Sequence, residues 1–203
     1  DYQDLANRVA TKQAEFIWRA SPSLGPSVQV FSGLTGEYGG GYGPPGGFCF
    51  DEVACDVTPV VDDKKDKSYN ADIEVDLFVN AVLDLANNTR GNNVMFTMGD
   101  DFQWQAARAY YYNLDKIIDL VNKDGRVNAK YSTPSEYVAS KAKEQIEWPM
   151  KTDDFFPYAD QPHDFWTGYL TSRPALKRYI RDSSSVLQAA RQVVYQYSSP
   201  SAA

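Results

Sequence analysis

The stretch NVMFTMGDDFQWQAARAYYYNLDKIIDLVNKDGRVNAKYSTPSE, residues 93–136, decides the fold of this chain. Its first six residues, 93–98, are an apolar run with the length of a buried strand. From Trp104 to Val121 apolar side chains recur three and four positions apart, which predicts a helix that packs along one face. Gly125 stands at the usual position for ending such a helix.

A second strand and a second helix follow in the same stretch. The sequence VNAKYS, residues 127–132, has the composition of a strand. Thr133 is then the expected N-cap of a helix, with Pro134 at its first position and Glu136 completing a capping box. Strands that alternate with helices through short links predict an α/β fold, with a parallel sheet, right-handed crossovers and helices on its faces.

The chain before this stretch is less regular. Residues 1–19 show helical spacing of apolar side chains and predict a helix as far as Arg19, and residues 27–34 predict a strand. Residues 35–50 contain so many glycines and prolines that we expect a loop. Asn70 begins another predicted helix.

The end of the chain predicts one long helix over residues 165–197, because apolar residues keep a helical period for several turns. A helix of that length needs other helices to cover its apolar side. We therefore interpret it as the first long helix of a helical bundle. The predicted organisation is an α/β domain over residues 1–150, then a linker and that helix over residues 151–203.

Composition excludes some functions. The formal net charge is −7 and the pI is near 4.7, which makes nucleic acid a poor partner because phosphate binding needs a basic face. No apolar run reaches the ~18 residues that a membrane span requires. The 14 Tyr, 10 Phe and 4 Trp residues supply stacking surfaces for sugars or other flat ligands as well as core side chains.

Two features indicate an oxidising, secretory route. Cys49 and Cys55 have the spacing of a small disulfide-closed loop, and no second cysteine pair is present to complete a thiolate zinc site. Asn87, in the sequon Asn87-Asn88-Thr89, is a candidate glycosylation site. The chain opens at Asp1 without an initiator Met or an apolar leader segment, and its last residues are low in complexity. We therefore expect a processed fragment of a longer precursor, the alternative being a section trimmed for expression.

Asp100 and Asp101 follow the predicted strand 93–98, where ligands bind in a parallel α/β sheet. Successive side chains of an extended segment point to opposite sides, so one carboxylate could enter a cleft while the other caps the next helix. The alternative is that both acids only complement the dipole at the start of that helix.

Four blocks of the sequence carry a family resemblance: VMFTMGDDFQW (94–104), GRVNAKYSTPSEY (125–137), EWPMKTDDFFPYAD (147–160) and FWTGYLTSRPALKRY (165–179). In this order they resemble the class II α-mannosidases, glycoside hydrolase family 38, of the lysosomal or vacuolar kind. The resemblance covers an internal section of a longer sequence. It implies that residues 1–150 are the C-terminal part of the α/β catalytic domain and that residues 151–203 are a linker and the first helix of a helical bundle domain. It implies hydrolysis of terminal α-mannosides of glycans with retention of configuration, a zinc ion, and a lysosomal, vacuolar or secreted location.

The resemblance also assigns roles to residues. Asp101 matches the general acid/base carboxylate. Asp100, Tyr42 and Trp166 match substrate-binding positions of the mannose pocket, with Tyr38 as a rival to Tyr42.

The remaining implied features concern cofactor and partners. Cys49 and Cys55 match a family disulfide. The catalytic nucleophile and the zinc ligands are expected outside this chain, which offers His163 as its single histidine, in a loop typical of surface residues. The implied partners are mannose-containing glycans and the remaining segments of the same precursor. The competing hypothesis is a non-catalytic α/β module that binds carbohydrate or a protein.

Overall fold

The computed structural model describes residues 1–35, 43–44, 48–51, 55 and 58–198. The described chain divides into two compact units. One unit comprises residues 3–154, and the other comprises residues 155–203 together with residues 1–2. The assignment of domains to 1–150 and 151–203 stays a prediction.

The regular elements are six α-helices and five short strands in the described residues. In chain order they are α1 (Tyr2–Ala10), β1 (Glu15–Trp18), β2 (Val30–Gly33), α2 (Ala71–Asn88), α3 (Ala107–Asp124), α4 (Pro134–Lys143), β3 (Met150–Lys151), β4 (Ala159–Gln161), β5 (Asp164–Phe165), α5 (Gly168–Thr171) and α6 (Pro174–Ser198). A short 3₁₀ helix, Pro22–Ser27, lies between β1 and β2. No helix in the described part of the chain combines the length and apolar character that crossing a membrane requires.

The larger unit contains a small mixed sheet with the strand order β2-β1-β3. Strand β1 runs antiparallel to β2, with Trp18 opposite Val30, and parallel to β3, with Ile17 opposite Met150. Helices combined with this mixed sheet agree with the predicted α/β class. The extended parallel sheet that the sequence predicted is not formed by the described residues.

The predicted helix over residues 1–19 is wrong in its second half. Helix α1 ends at Ala10, and Glu15–Trp18 form β1 instead. Phe16 is fully buried, and Glu15 forms an ion pair at 2.9 Å with Lys141, which is also buried. Strand pairing on both sides of β1 and this buried ion pair override the helical spacing of the local sequence.

The core lies between α2 and α3. Its buried side chains come from both helices and from the segments before α2: Phe48, Phe50, Val60, Val75, Phe78, Val79, Tyr110, Leu114, Ile117 and Val121. Asn113 connects α3 to the segment before α2, because its Oδ1 accepts a hydrogen bond from the Val60 N–H at 2.8 Å.

The ends of the two helices agree with the prediction. Asn70 lies directly before α2, and Gly125 ends α3 in the left-handed conformation.

Residues 93–98 and 127–132 do not pair into a sheet within the described chain, so the two predicted strands are not formed here. Alternate side chains of each segment nevertheless pack against the core. Phe96 and Met98 in the first segment, and Val127 and Ala129 in the second, pack against the core. Apolar alternation specifies which side chains face inward, whereas a strand also needs a neighbouring strand for its backbone groups.

Glu144 fixes the turn that precedes residues 93–98. Its Oε1 accepts hydrogen bonds from the backbone N–H groups of Asn92 at 2.8 Å and of Asn93 at 2.9 Å. Gly91 has a φ of +79°, and a Cβ placed there would lie 2.0 Å from Glu144 Oε2. The turn therefore depends on both the carboxylate and the absence of a side chain at position 91.

Helix α4 begins as predicted. The Thr133 Oγ1 accepts a hydrogen bond from the Glu136 N–H at 3.3 Å, and the Thr133 N–H donates to the Glu136 carboxylate at 2.9 Å. These two bonds form the complete capping box, with Pro134 at the first helical position.

The smaller unit contains the hairpin β4–β5 and the helices α5 and α6. The predicted helix over 165–197 begins later than expected, since Phe165 belongs to β5 and α6 starts at Pro174. The segment between them contains only the single turn α5. Every described side chain of α6 is exposed, including a set of large apolar ones: Leu176, Tyr179, Ile180, Val186, Leu187, Val193, Val194, Tyr195 and Tyr197.

Candidate active site

The two acids that the sequence singled out lie on an exposed loop between residues 98 and Ala107. Asp100 and Asp101 are both exposed, and the Asp101 N–H donates a hydrogen bond of 2.7 Å to the Asp100 Oδ1. Helix α3 starts at Ala107, has Ala106 at its N-cap with no side-chain cap bond, and has no acidic residue in its first turn. Both helix-related hypotheses for these acids, capping and dipole complementation, are therefore wrong.

The backbone of this loop is held in uncommon conformations. Phe102 has a φ of +62° and Trp104 a φ of +68°. The indole Nε1–H of Trp104 donates to the Met98 carbonyl at 2.7 Å, and a Cβ at Gly99 would lie 2.8 Å from the same nitrogen. Non-glycine residues at positive φ persist where the surrounding structure holds them, and such positions concentrate at functional sites.

The buried side of the loop rests on Tyr110, which is fully buried in α3. The rings of Trp104 and Tyr110 stack with centroids 4.3 Å apart, and the Tyr110 hydroxyl donates to Gln103. Burial raises the pKa of the Tyr110 hydroxyl, and the negative charges of Asp51 and Asp100 raise it further. Tyr110 therefore remains a neutral hydrogen-bond donor. It packs on the buried side of the loop that carries Asp100 and Asp101, which is called the acid loop below.

Asp51 is a residue that the sequence reasoning missed. It is fully buried, and its Oδ2 accepts a hydrogen bond from the Gln105 N–H at 3.0 Å. Its own carbonyl accepts a bond of 3.1 Å from the Cys55 N–H. The sequence feature that could have identified Asp51 is its position directly after the apolar run Phe-Cys-Phe. An acid next to such a run tends to be buried with it, and a buried carboxylate needs hydrogen-bond partners.

Cys49 and Cys55 are joined by a disulfide bond, with Cα atoms 6.2 Å apart. The bond closes the segment that contains Asp51 and so fixes the residue that contacts the acid loop.

The resemblance assigns Tyr42 to the mannose pocket. Tyr42 and its rival Tyr38 lie outside the described residues.

Trp166 belongs to the smaller unit, whereas Asp100 and Asp101 belong to the larger one. The side chain of Trp166 is 51% exposed, with its ring centroid 5.9 Å from that of Tyr158. Its backbone N–H donates to the Tyr158 carbonyl at 3.0 Å, which fixes its position at the hairpin. An exposed indole held in this way can offer a face to a sugar ring.

The described residues do not provide a metal site. They contain no group of three or more His, Cys, Asp and Glu side chains arranged to hold an ion. His163 is exposed in the turn between β4 and β5, with a φ of +64°. These residues do not fit a zinc centre, which requires three or more converging ligands.

An open cavity of about 730 Å³ lies elsewhere in the larger unit, bordered by residues 10–12, 89–92 and Ile146, among others. Neither Asp100 nor Asp101 borders it. The cavity is therefore separate from the candidate active site.

The candidate glycosylation site lies at the end of α2. Asn87 is exposed, and Thr89, the third residue of the sequon, is the C-cap of the helix and is buried.

Comparison with known proteins shows one family model and several relatives that match this chain. Residues 1–161 match the family described as Glycosyl hydrolases family 38 N-terminal domain. A probable alpha-mannosidase of Arabidopsis thaliana is 51% identical over 195 residues, which is 96% of this chain and 18% of that protein. The lysosomal alpha-mannosidase of Cavia porcellus is 46% identical over 201 residues, and that of Homo sapiens 45% over 198 residues. These two matches cover 97% and 95% of this chain but only 20% and 19% of the relatives.

Proposed function

The chain belongs to glycosyl hydrolase family 38, and from this premise we propose that it is an internal section of a retaining α-mannosidase that contributes Asp101 as the general acid/base. The observation that carries the proposal is the exposed Asp101 carboxylate on a loop that two hydrogen bonds hold in place. Trp104 anchors the loop to the Met98 carbonyl, and Gln105 anchors it to buried Asp51.

Retaining hydrolysis uses two carboxyl groups about 5 Å apart, one as nucleophile and one as acid and then base. In this proposal Asp101 donates a proton to the glycosidic oxygen as the mannosyl–oxygen bond breaks. It then accepts a proton from the water that releases the sugar from the nucleophile. The nucleophile belongs to another segment of the longer protein.

Asp101 needs a fixed position for this role, because proton transfer requires the carboxyl group to be within hydrogen-bond distance of the reacting oxygen. The stack of Trp104 on Tyr110 and the bond from Gln105 to Asp51 supply that rigidity. Asp100, which accepts the Asp101 N–H, orients the peptide between the two acids.

The remaining parts of the proposed mannose pocket are Asp100, Tyr42 and Trp166. These residues suit a mannoside, because a carboxylate can accept hydrogen bonds from sugar hydroxyls and aromatic rings can pack against the sugar faces.

We further propose that α6 is the first long helix of a bundle, because its exposed apolar side chains require a partner surface.

Since the described residues do not fit a zinc centre, we place the zinc ligands of the proposed enzyme in other segments of the longer protein. The steps assigned to this chain are proton transfer and sugar positioning alone.

The relatives named lysosomal alpha-mannosidase, together with the disulfide, support a lysosomal, vacuolar or secreted location.

The test is Asp101→Asn in the longer protein, compared with Asp100→Asn one position away. Because Asp100 is proposed to bind sugar and not to transfer the proton, Asp100→Asn should affect substrates with poor and with activated leaving groups alike. A mannoside with a poor leaving group needs protonation, whereas an activated aryl mannoside needs little. We expect Asp101→Asn to reduce turnover of the first substrate ~10²–10⁴-fold and the formation of the mannosyl-enzyme from the second far less. Equal losses on both substrates would remove Asp101 from the acid/base role. Absence of turnover in the unmodified longer protein would favour a non-catalytic binding module.

A further inference from the structure

The sequon of this chain is folded into a helix end. Asn87 is the second-last residue of α2, and Thr89 follows the helix as its C-cap. Thr89 is 6% exposed, and its Oγ1 donates a hydrogen bond of 3.0 Å to the Leu85 carbonyl. Its backbone N–H donates to the same carbonyl at 3.1 Å.

This arrangement separates the two side chains that define a sequon. Residues two positions apart on a helix are rotated by about 200° and do not face each other. The Asn87 side chain is exposed, whereas the Thr89 hydroxyl is buried and already bonded to Leu85. An enzyme that must contact both side chains at once cannot do so while the end of α2 is folded.

We propose that Asn87 is an acceptor for an N-linked glycan only while the end of α2 is unfolded, so that the sugar is attached before the larger unit folds. The proposal rests on the proposed secretory route and is independent of the mannosidase activity.

The co-reactant is an oligosaccharide linked to a lipid through diphosphate. In the transfer, Asn87 Nδ2 forms a bond to the anomeric carbon of the first sugar while the bond from that carbon to the diphosphate oxygen breaks. The amide loses one proton, and the lipid diphosphate leaves with the electron pair of the broken bond. No oxidation or reduction takes place.

The folded helix can carry the product. Asn87 is exposed, so an attached glycan would extend into solvent. Leu83 lies one turn earlier on the same side of α2 and is 50% exposed, and the glycan would cover part of it. Folding after attachment therefore requires no repacking of the core.

The experiment compares two substrates of a purified oligosaccharyltransferase supplied with a lipid-linked oligosaccharide. One is a peptide of residues 80–96, in which the sequon is unfolded. The other is the longer protein that contains this chain, folded in cells in which glycan synthesis is blocked. We expect modification of Asn87 in the folded protein to be at least ~10-fold slower than in the peptide, because the helix end must first open.

The matched control is Asp66→Asn in the same folded protein, which creates a sequon with Lys67 and Ser68 in an exposed turn. Asp66 Oδ1 accepts the Ser68 N–H at 2.8 Å, a bond that asparagine retains. We expect this site to be modified in the folded protein, which shows that the transferase acts on folded chains when a sequon is accessible.

Modification of Asn87 in the folded protein at the rate of the peptide would overturn the order of attachment and folding. A peptide that stays unmodified, with the control site modified, would overturn Asn87 as an acceptor. Thr89→Ser keeps the hydroxyl and should retain the glycan in secreting cells, whereas Thr89→Val should abolish it.

Discussion

The Asp51 carboxylate accepts the backbone N–H of Gln105 at 3.0 Å, across 54 residues of sequence. This contact joins the disulfide-closed segment to the loop that carries Asp100 and Asp101. The position of the loop that carries the two acids thus depends on a residue that lies far from it in the sequence.

Removal of the Asp51 carboxylate should loosen the acid loop. Asp51→Ala takes away the acceptor and should cost about 1.5–3 kcal/mol, the range for hydrogen bonds to charged groups. Asp51→Asn keeps an acceptor oxygen and should cost less. The measurement is the hydrogen-exchange protection of the Gln105 amide, which should fall in the alanine variant. Unchanged protection in that variant would show that Asp51 does not hold the loop.

The indole N–H of Trp104 should matter for turnover more than for binding. Trp104→Phe keeps an aromatic ring against Tyr110 but loses the bond to Met98, so we expect a loss of about 0.5–1.5 kcal/mol of stability. If Asp101 is the acid/base, kcat should fall while KM changes little, because the loop orients the proton donor.

The matched control for Trp104 is Tyr112→Phe, an aromatic change on the exposed side of α3 that should leave both kinetic parameters unchanged. An equal fall in kcat for the two variants would argue against a local effect of the loop. An unchanged kcat in Trp104→Phe would contradict the role given to its hydrogen bond.

The disulfide should be present in the mature protein. Non-reducing peptide mapping should recover Cys49 and Cys55 in one linked species. Replacing both by serine should lower stability by about 2–3 kcal/mol, the range for a short closed loop. Two free thiols in the mature protein would contradict the pairing.

The capping box of α4 should weaken at acid pH. The Thr133 N–H, which donates to the Glu136 carboxylate, holds the pKa of Glu136 below its ordinary value of 4.5. The box therefore contributes stability that is fully present above pH 4.5 and is lost as pH falls through the lower folded pKa. Carboxyl NMR titration of Glu136 should give an inflection below 4.5, and Glu136→Gln should remove this part of the pH dependence. An inflection at or above 4.5 would contradict the capping contribution.

The isolated 203-residue polypeptide should bind no stoichiometric zinc and should not hydrolyse an aryl α-mannoside, because the proposed nucleophile and metal ligands belong to other segments. Elemental analysis and an activity assay measure both properties, and the longer protein is the control. One tightly bound zinc with turnover would place the whole catalytic centre in these 203 residues.

Features that depend on neighbouring residues were predictable from the sequence. The capping box at Thr133 and the end of α3 at Gly125 follow from contacts within a few positions, and both are present. The apolar spacing predicted that α2 and α3 are helices, but it did not fully identify their buried faces. In α3 the predicted face included Tyr111, which is 51% exposed, whereas Tyr110 and Ile117 are fully buried.

Features that depend on distant partners were not predictable in the same way. Residues 15–18 have helical spacing but form β1, because β2 and β3 pair with them. Trp104 has the spacing of α3 but lies before the helix, where Met98 and Tyr110 hold it. The role of Asp51 depends on Gln105, which no local pattern connects to it.

The turn at Gly91 has a consequence for inherited variation. A side chain at this position would overlap the Glu144 carboxylate and adopt a strained backbone conformation, so each missense change of its codon should damage the turn. A second change that shortens residue 144 would free space but would leave Asn92 and Asn93 without their acceptor. Variants at position 91 should therefore lower the amount of folded protein, and a compensating change at 144 should not rescue them.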